Sequence, residues 1–324
     1  MTMKVHLSYY QYLRNFESFL GGLDTTNPEE LKITTHEKWV NIHPAILTMI
    51  AALGQTMDPQ RITIDDITAA SGHYLARMGL FKALGKKSPY SIEEHESAGK
   101  FIPLTQICAQ EEQSKFITDM IPLLHLDPNH ADAIKYVVGE LVRNVLEHAG
   151  AENGAFVAAQ YYPQAKVVRL GISDTGVGIW KTIHQSWPAK NDIEAIKLAL
   201  TPGITGTTRH EGGTEANAGA GLFFIKSMAV VARDYFVLYS GSGAYKLTKR
   251  DKRTKGLPRL KGNPSDDKHT ETNDAPNFPG TVVALDISLD ETSEFPALLA
   301  AISSAYTKAL KERKKQRYKQ PRFE

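Results

Sequence analysis

Glu140, Asn144 and His148 recur every four residues in "ELVRNVLEHAG" (140–150), with Leu141, Val145 and Ala149 one step behind them. On a helix, positions four apart drift slowly around one side, so the three polar groups form an edge beside an apolar stripe. The stripe can pack on a sheet while the edge faces a pocket; alone, the pattern also suits a solvated helix face. Further on, "SDTGVGIW" (173–180) ends a strand in Asp174 and turns through Gly176 and Gly178. A carboxylate at a strand end can accept a hydrogen bond from an exocyclic amine, and glycines at φ > 0 let the backbone approach a flat ring. Hairpin turns use the same residues. In "GTEANAGAGLFFIKSMA" (213–229), Gly219 and Gly221 precede an apolar helix whose unpaired N–H groups and dipole suit phosphate. Neither the Gly-Lys-Ser/Thr of a P-loop nor the dinucleotide fingerprint is present. "GTVVALDISL" (280–289) is a strand entered through Gly280 and Thr281, whose hydroxyl could reach a base or an ordered water.

Apolar periodicity outlines the elements that must position these groups. It predicts a helix over 129–149 with Asn129 as N-cap, strands at 154–163, 166–174, 235–241 and 280–289, and a glycine-rich stretch over 175–221. Upstream, "KWVNIH" (38–43) and "RITIDD" (61–66) read as strands, and 44–57 and 73–85 as helices, with Pro44 in a first turn and Gly85 as a stop. This βαβα order favours a small α/β layer. A polar loop over 86–100, a strand at 101–107 and a helix at 111–126 follow. The expected division is an α/β domain over 1–110, a second unit over 111–300 and a basic helix or tail over 301–324.

With 324 residues, 42 % hydrophobic and 23 % charged, the chain has the composition of a globular protein long enough for two ordinary domains. Its longest apolar run, "AILTMIAALG" (45–54), falls short of the roughly 20 residues that span a bilayer. The N-terminus lacks the pattern of a signal peptide. A single cysteine, Cys108, fits a reducing compartment, so the expected location is the cytoplasm, with no membrane partner. The net charge of +2 implies no partner, but residues 246–261 and 308–324 each concentrate eight Lys or Arg, leaving the remainder net acidic. These two segments are candidates for nucleic-acid contact. They also suit a mobile loop (246–277) and a tail kept in solution by charge.

The four motifs, in order over about 130–290, resemble the nucleotide-binding domain shared by gyrase B, the heat-shock-90 chaperones, histidine kinases and MutL (the GHKL superfamily). The resemblance implies a Bergerat-type α/β sandwich, with helices on one face of a mixed sheet, that binds ATP with Mg²⁺. It assigns Asn144 to the Mg²⁺ that bridges the phosphates and Glu140 to general-base activation of the attacking water. Asp174 would hold the adenine amine, with Gly176 and Gly178 in the same box and Gly178 lining the ring. Gly219, Gly221 and Leu222 would form the third box, and Thr281 would open the last strand. The lid would span 180–221, where Lys181, Lys190, Lys197 and Arg209 are candidates to meet phosphates. Arg143 is expected on another side of the helix, at the surface, and His148 to support the pocket or cap a packed turn.

Within the superfamily, Glu-x-x-x-Asn-x-x-x-His-Ala is closest to the anti-sigma serine kinases and to stand-alone bacterial ATP-binding proteins. A sensor histidine kinase needs a phosphoacceptor on a helical hairpin, and His95 lies in a polar stretch that does not read as helix. Residues 1–110 resemble the STAS fold of anti-sigma antagonists, with Pro44-Ala45 where those carry a phosphorylatable serine and Ser71 as a poorer substitute. A docking or regulatory module is then expected. The functional expectation is a slow ATPase working through Glu140 as a nucleotide-driven switch on a protein partner, with a nucleotide-dependent homodimer as one form. The alternatives are an anti-sigma-type protein serine kinase, a nucleic-acid-dependent ATPase using 246–261 and 308–324, and a module that holds ATP without turnover.

Overall fold

The computed structural model describes residues 2–26, 29–38, 40–68, 71–91, 101–206, 220–249, 258–289 and 295–318. Strands β1 (Met3–Leu7), β2 (Leu23–Asp24), β3 (Leu31–Thr35) and β4 (Ile62–Ile64) form a small sheet in the order β2-β1-β3-β4. In β1, buried Met3, Val5 and Leu7 alternate with exposed Lys4 and His6, as period-2 patterning requires. Seven further strands, β5 (Phe101–Ile107), β6 (Ala155–Tyr162), β7 (Val167–Asp174), β8 (Phe236–Gly241), β9 (Gly243–Leu247), β10 (His269–Thr272) and β11 (Phe278–Ser288), form one large sheet. Its order is β10-β9-β8-β11-β7-β6-β5.

The chain is thus mixed α/β, but the large sheet departs from expectation in two ways. It is antiparallel at every pairing rather than mixed. It is also covered on both faces. Val157, Ala159, Leu170, Ile172, Val283 and Leu285 point into one apolar cluster, and their neighbours Phe156, Ala158, Val237, Tyr239, Val282 and Ala284 into another. Burial on both sides explains why these strands read as nearly continuous apolar runs rather than alternating ones.

The second cluster is continuous with the N-terminal segment. It runs from Val5, Leu31 and Ile33 of the small sheet through helix α1 (Pro44–Gly54) to the large sheet. Every residue of α1 is buried, and the helix lies on β6 and β7. His43 caps it: Nδ1 accepts the Ala45 N–H at 3.1 Å, and Nε2 meets Asp286 Oδ1 of β11 at 3.2 Å. The expected break at residue 110 therefore falls inside a shared architecture, since β5 is already the edge strand paired with β6. The predicted strand–helix–strand–helix order forms, but in short pieces whose two strands belong to different sheets. The strand before α1 is only Asn41–Ile42, it pairs with Tyr10–Gln11, and the predicted helix over 73–85 breaks at Gly79, where φ is +79°. Ser71 is buried and its hydroxyl accepts the Val40 N–H, which gives it a structural task.

Much of the segment expected as a mobile basic loop, 246–277, is built into the fold. Lys246 lies in β9, nearly buried and ion-paired with Glu17, and β10 pairs along β9. The turn between them is tied by the buried Lys226–Asp267 ion pair at 2.6 Å and by the Tyr245 hydroxyl donating to Pro264 O. Residues 250–257 lie outside the described residues.

Close approach of α1 to the sheet depends on Gly171 of β7, where an added Cβ would sit 2.1 Å from Ala45 Cα. Because backbone is the obstacle, Gly171→Ala should force α1 outward and destabilise the protein by about 1–3 kcal/mol. Urea unfolding monitored by circular dichroism reads this as a lowered midpoint; an unchanged midpoint would show that α1 has room to shift.

Candidate functional site

Helix α2 (Pro128–Asn144) opens with proline in its first turn, one residue before the expected Asn129 cap. Its stripe of Ile134, Val137, Val138, Leu141 and Val142 is buried against the sheet. Beyond Asn144 the helix widens into a π-turn, Val145–Ala149, and ends at Gly150 with φ +55°. Single π-turns inside helices often accompany functional sites. Here the polar edge of α2 opens onto a cavity of about 800 Å³.

Seven of the sequence-predicted residues line that one cavity: Glu140, Asn144, Asp174, Gly178, Gly221, Leu222 and Thr281. Gly176 stands behind the wall, where its N–H donates to Asp174 Oδ1 at 2.8 Å and a Cβ would clash with Ala149 O at 2.2 Å. The neighbouring Val177 N–H donates to the same Ala149 carbonyl, so the turn is keyed into the end of the π-turn. Gly219 lies outside the described residues, as do Arg209 and His95.

Asp174 is the final residue of β7 and only 2 % exposed. Burial pushes its carboxyl up to about 6, against the stabilising backbone N–H groups of Gly176 and Thr281. Gly280, at φ +124°, lets β11 pass this corner, since a Cβ there would lie 2.2 Å from Asp174 O. Ser240 of β8 completes the corner: its hydroxyl donates to Gly280 O at 2.6 Å and accepts the Ile179 N–H at 2.9 Å. That second bond fixes the start of helix α3 (Gly178–His184).

Across the cavity, Arg143 Nη2 donates to both carboxylate oxygens of Glu140 at 2.8 Å. This corrects the placement of Arg143 on another side of the helix, because residues three apart are helix neighbours. Burial raises the Glu140 carboxyl above the ordinary range, and the Arg143 guanidinium opposes that rise. The first residue of helix α5 (Gly221–Ala232) abuts the same carboxylate, with a Cβ on Gly221 falling 2.7 Å from Glu140 Oε2. His148 also lines the cavity, half exposed and 3.8 Å from Glu147.

The lid lysines do not reach the cavity. Lys197, on helix α4 (Asp192–Ala199), pairs with Glu271, and neither Lys181 nor Lys190 lines the wall. Among the described residues Arg143 is the one Lys or Arg that does. Thr182, Thr205 and Ser303 were not singled out in the sequence yet line the cavity. Thr205 is delivered by its carbonyl, which accepts the Trp187 indole N–H at 2.9 Å, and Ser303 by a C-terminal helix. The sequence carries no signal for either. Ser240, a lone hydroxyl closing an apolar strand, did carry one.

The raised carboxyl of Asp174 has a defined sign in pH. Its folded value lies above the unfolded one near 4, so the folded protein carries a penalty above pH 6 that disappears as pH falls from about 6 to below 4. The penalty is on the order of 3 kcal/mol at neutral pH. Asp174→Asn should therefore be more stable than wild type at pH 7.5, with the advantage shrinking toward pH 4.5. Urea unfolding of both proteins at the two pH values checks this, and a difference independent of pH would show that the carboxyl is not strained.

A scan against protein-family models finds no match for this chain, and a search of curated proteins finds none either.

Proposed function

We propose that the cavity binds Mg²⁺·ATP and that the protein is a slow ATPase of the GHKL type with a Bergerat-like sandwich. One observation carries the reading: a buried carboxylate at a strand end opens onto the same cavity as Glu140, Asn144 and the start of α5. Asp174 accepts the adenine amine, while Gly178 and Thr281 border the ring. The cavity volume is within the roughly 300–1,000 Å³ usual for such ligands.

The donor set also fits a metal brought in by its substrate. Among the described residues no group of three His, Cys, Asp or Glu could cage an ion by itself. Mg²⁺ commonly takes only one or two protein oxygens beside phosphates and waters. Asn144 would hold it, with Glu140 close by in the same wall, and the ion would neutralise charge on the phosphates. Gly221 presents the N-terminal end of α5, whose dipole favours anions.

Glu140 then acts as general base on water, a role worth about 10²–10⁴ in rate. Arg143 is hydrogen-bonded to both oxygens of that carboxylate. An incoming phosphate competes for the guanidinium and leaves Glu140 free to take a proton, so substrate binding itself arms the base. Val177 and Trp180, exposed beside the cavity at the start of α3, are apolar surface that such a switch offers to a protein partner.

Calorimetry with Mg²⁺·ATP followed by phosphate release tests the reading. Asp174→Asn should abolish binding, and Glu140→Ala should keep binding while slowing release at least 100-fold. Wild-type protein that fails to bind ATP would refute it. Arg143→Ala should weaken ATP binding about tenfold and, by removing the group that holds Glu140 down, shift the acid limb of kcat/KM to higher pH. The acid limb of kcat should stay in place, because the bound phosphate has already drawn Arg143 away. Unchanged profiles in both would rule out the exchange of partners.

A further inference from the structure

The C-terminal helix, α6 (Phe295–Tyr318), has two faces with different chemistry. Phe295, Ile302 and Tyr306 are buried, with Leu298, Leu299 and Leu310 half-buried beside them, and the helix packs on α5 and α2. Tyr306 stacks obliquely on Phe223 and Phe224 at 5.9 Å. Arg313, on the same side, donates to Pro202 O at 2.9 Å and anchors the distal turns. The opposite face is exposed and carries Ser304, Thr307, Lys308, Lys311 and Lys315, with Glu312 at one margin.

Helical geometry places Lys308, Lys311 and Lys315 within roughly 60° of one another over about 10 Å of axis. Among the described residues none of the three is held in an ion pair. They continue along the helix from Ser303, which lines the nucleotide cavity. A second basic segment arrives at the same helix: Gly262 packs against Ala309, where an added Cβ would come within 2.8 Å of the alanine Cβ. The segment ending there carries exposed Arg259 and half-buried Lys261. The two basic runs, far apart in sequence, thus converge in space. Their members are not equivalent, since Lys246 and Lys249 are committed to Glu17 and Asp234.

We propose that this lysine face of α6 docks the phosphate backbone of double-stranded DNA. Its chemistry favours that occupant over other polyanions. Three unpaired ammonium groups and two hydroxyls match phosphate contacts, which need charge and donors but no base-reading fork. Among the described residues of α6 this face holds no Asn, Gln or Arg with which to read base edges, so its binding is independent of sequence. Among the described residues it also holds no aromatic side chain, whereas single strands are gripped by stacking bases on aromatic rings. The exposed ridge of α6, whose other side is buried on α5 and α2, can approach the roughly 12 Å major groove of B-DNA and its flanking phosphates more readily than the deep, narrow groove of A-form RNA. DNA on this face touches the element that lines the nucleotide cavity through Leu299 and Ser303.

The test is fluorescence anisotropy of the full chain with a labelled 30-base-pair DNA duplex, without ATP, from 50 to 200 mM salt. Omitting ATP separates this outcome from the fate of the nucleotide reading. A triple variant, Lys308→Gln with Lys311→Gln and Lys315→Gln, is compared with wild type and with a control that replaces exposed Lys4, Lys82 and Lys87 by Gln. Circular dichroism confirms that each variant folds, which exposed positions allow. Wild type should bind the duplex, and the triple variant should lower the slope of log K against log salt by about 2.7, the value for three lost phosphate contacts. The control should leave the slope unchanged. Absence of duplex binding at 50 mM salt would overturn the proposal, as would an unchanged slope in the triple variant or an equal loss in the control. Tighter binding of the single strand, of an RNA duplex or of polyglutamate at equal charge would also overturn it and assign the face to that partner.

Discussion

A carboxylate buried at the end of a central strand is expensive, and the architecture around Asp174 is organised to tolerate it. The Gly176 and Thr281 N–H groups supply two donors, yet the carboxyl still titrates near 6 because burial outweighs them. Holding both donors in place requires the turn after β7 to lie flat on the end of the π-turn and β11 to pass without a Cβ at Gly280. Ser240 then locks the turn to β11 and starts α3. A ligand that donates a hydrogen bond into the corner, such as an amine, would offset the penalty that burial leaves on the carboxylate.

The opposite face of the sheet explains how such a corner stays rigid. α1 packs on the large sheet, against the strand that ends in Asp174, within an apolar cluster that continues into the small sheet. Thr48 of α1 and Ser173 of β7 share a buried hydrogen bond at 2.7 Å, and His43 links the start of α1 to Asp286. Burial holds the His43 imidazole below its ordinary range despite that carboxylate, consistent with a neutral ring whose Nδ1 accepts and whose Nε2 donates. The N-terminal segment therefore acts as the second wall of the sheet. The other face of the sheet carries the cavity.

The polar edge of α2, the Asp-x-Gly-x-Gly turn and the Gly221-Leu222 start of α5 were legible because each is a local pattern with a local cause. Helical spacing puts Glu140 and Asn144 on one side, and strand-to-turn chemistry puts Asp174 beside glycines. The same spacing rule would have placed Arg143 next to Glu140, since three residues apart is also a neighbour position. Layering was not legible. Strands buried on both faces lose their alternation, so the sequence could not say that α1 belongs on β6 and β7 rather than on its own small sheet. Thr205 and Ser303 reach the cavity only through tertiary packing, and no spacing announces them. The basic segment over 246–261 read as one solvated run, yet the fold buries its first lysine in a sheet and turns its last residues toward α6.

The central claim is that Asp174 accepts a hydrogen bond from an exocyclic amine. Competition calorimetry of ATP against purine riboside triphosphate, which differs from ATP only by lacking that amine, tests it most directly. A hydrogen bond to a charged group contributes about 1.5–3 kcal/mol, so the analogue should bind about 10–100-fold more weakly to wild type at pH 7.5. Equal affinity of the two nucleotides would contradict the account and leave the buried carboxylate without a ligand to explain it.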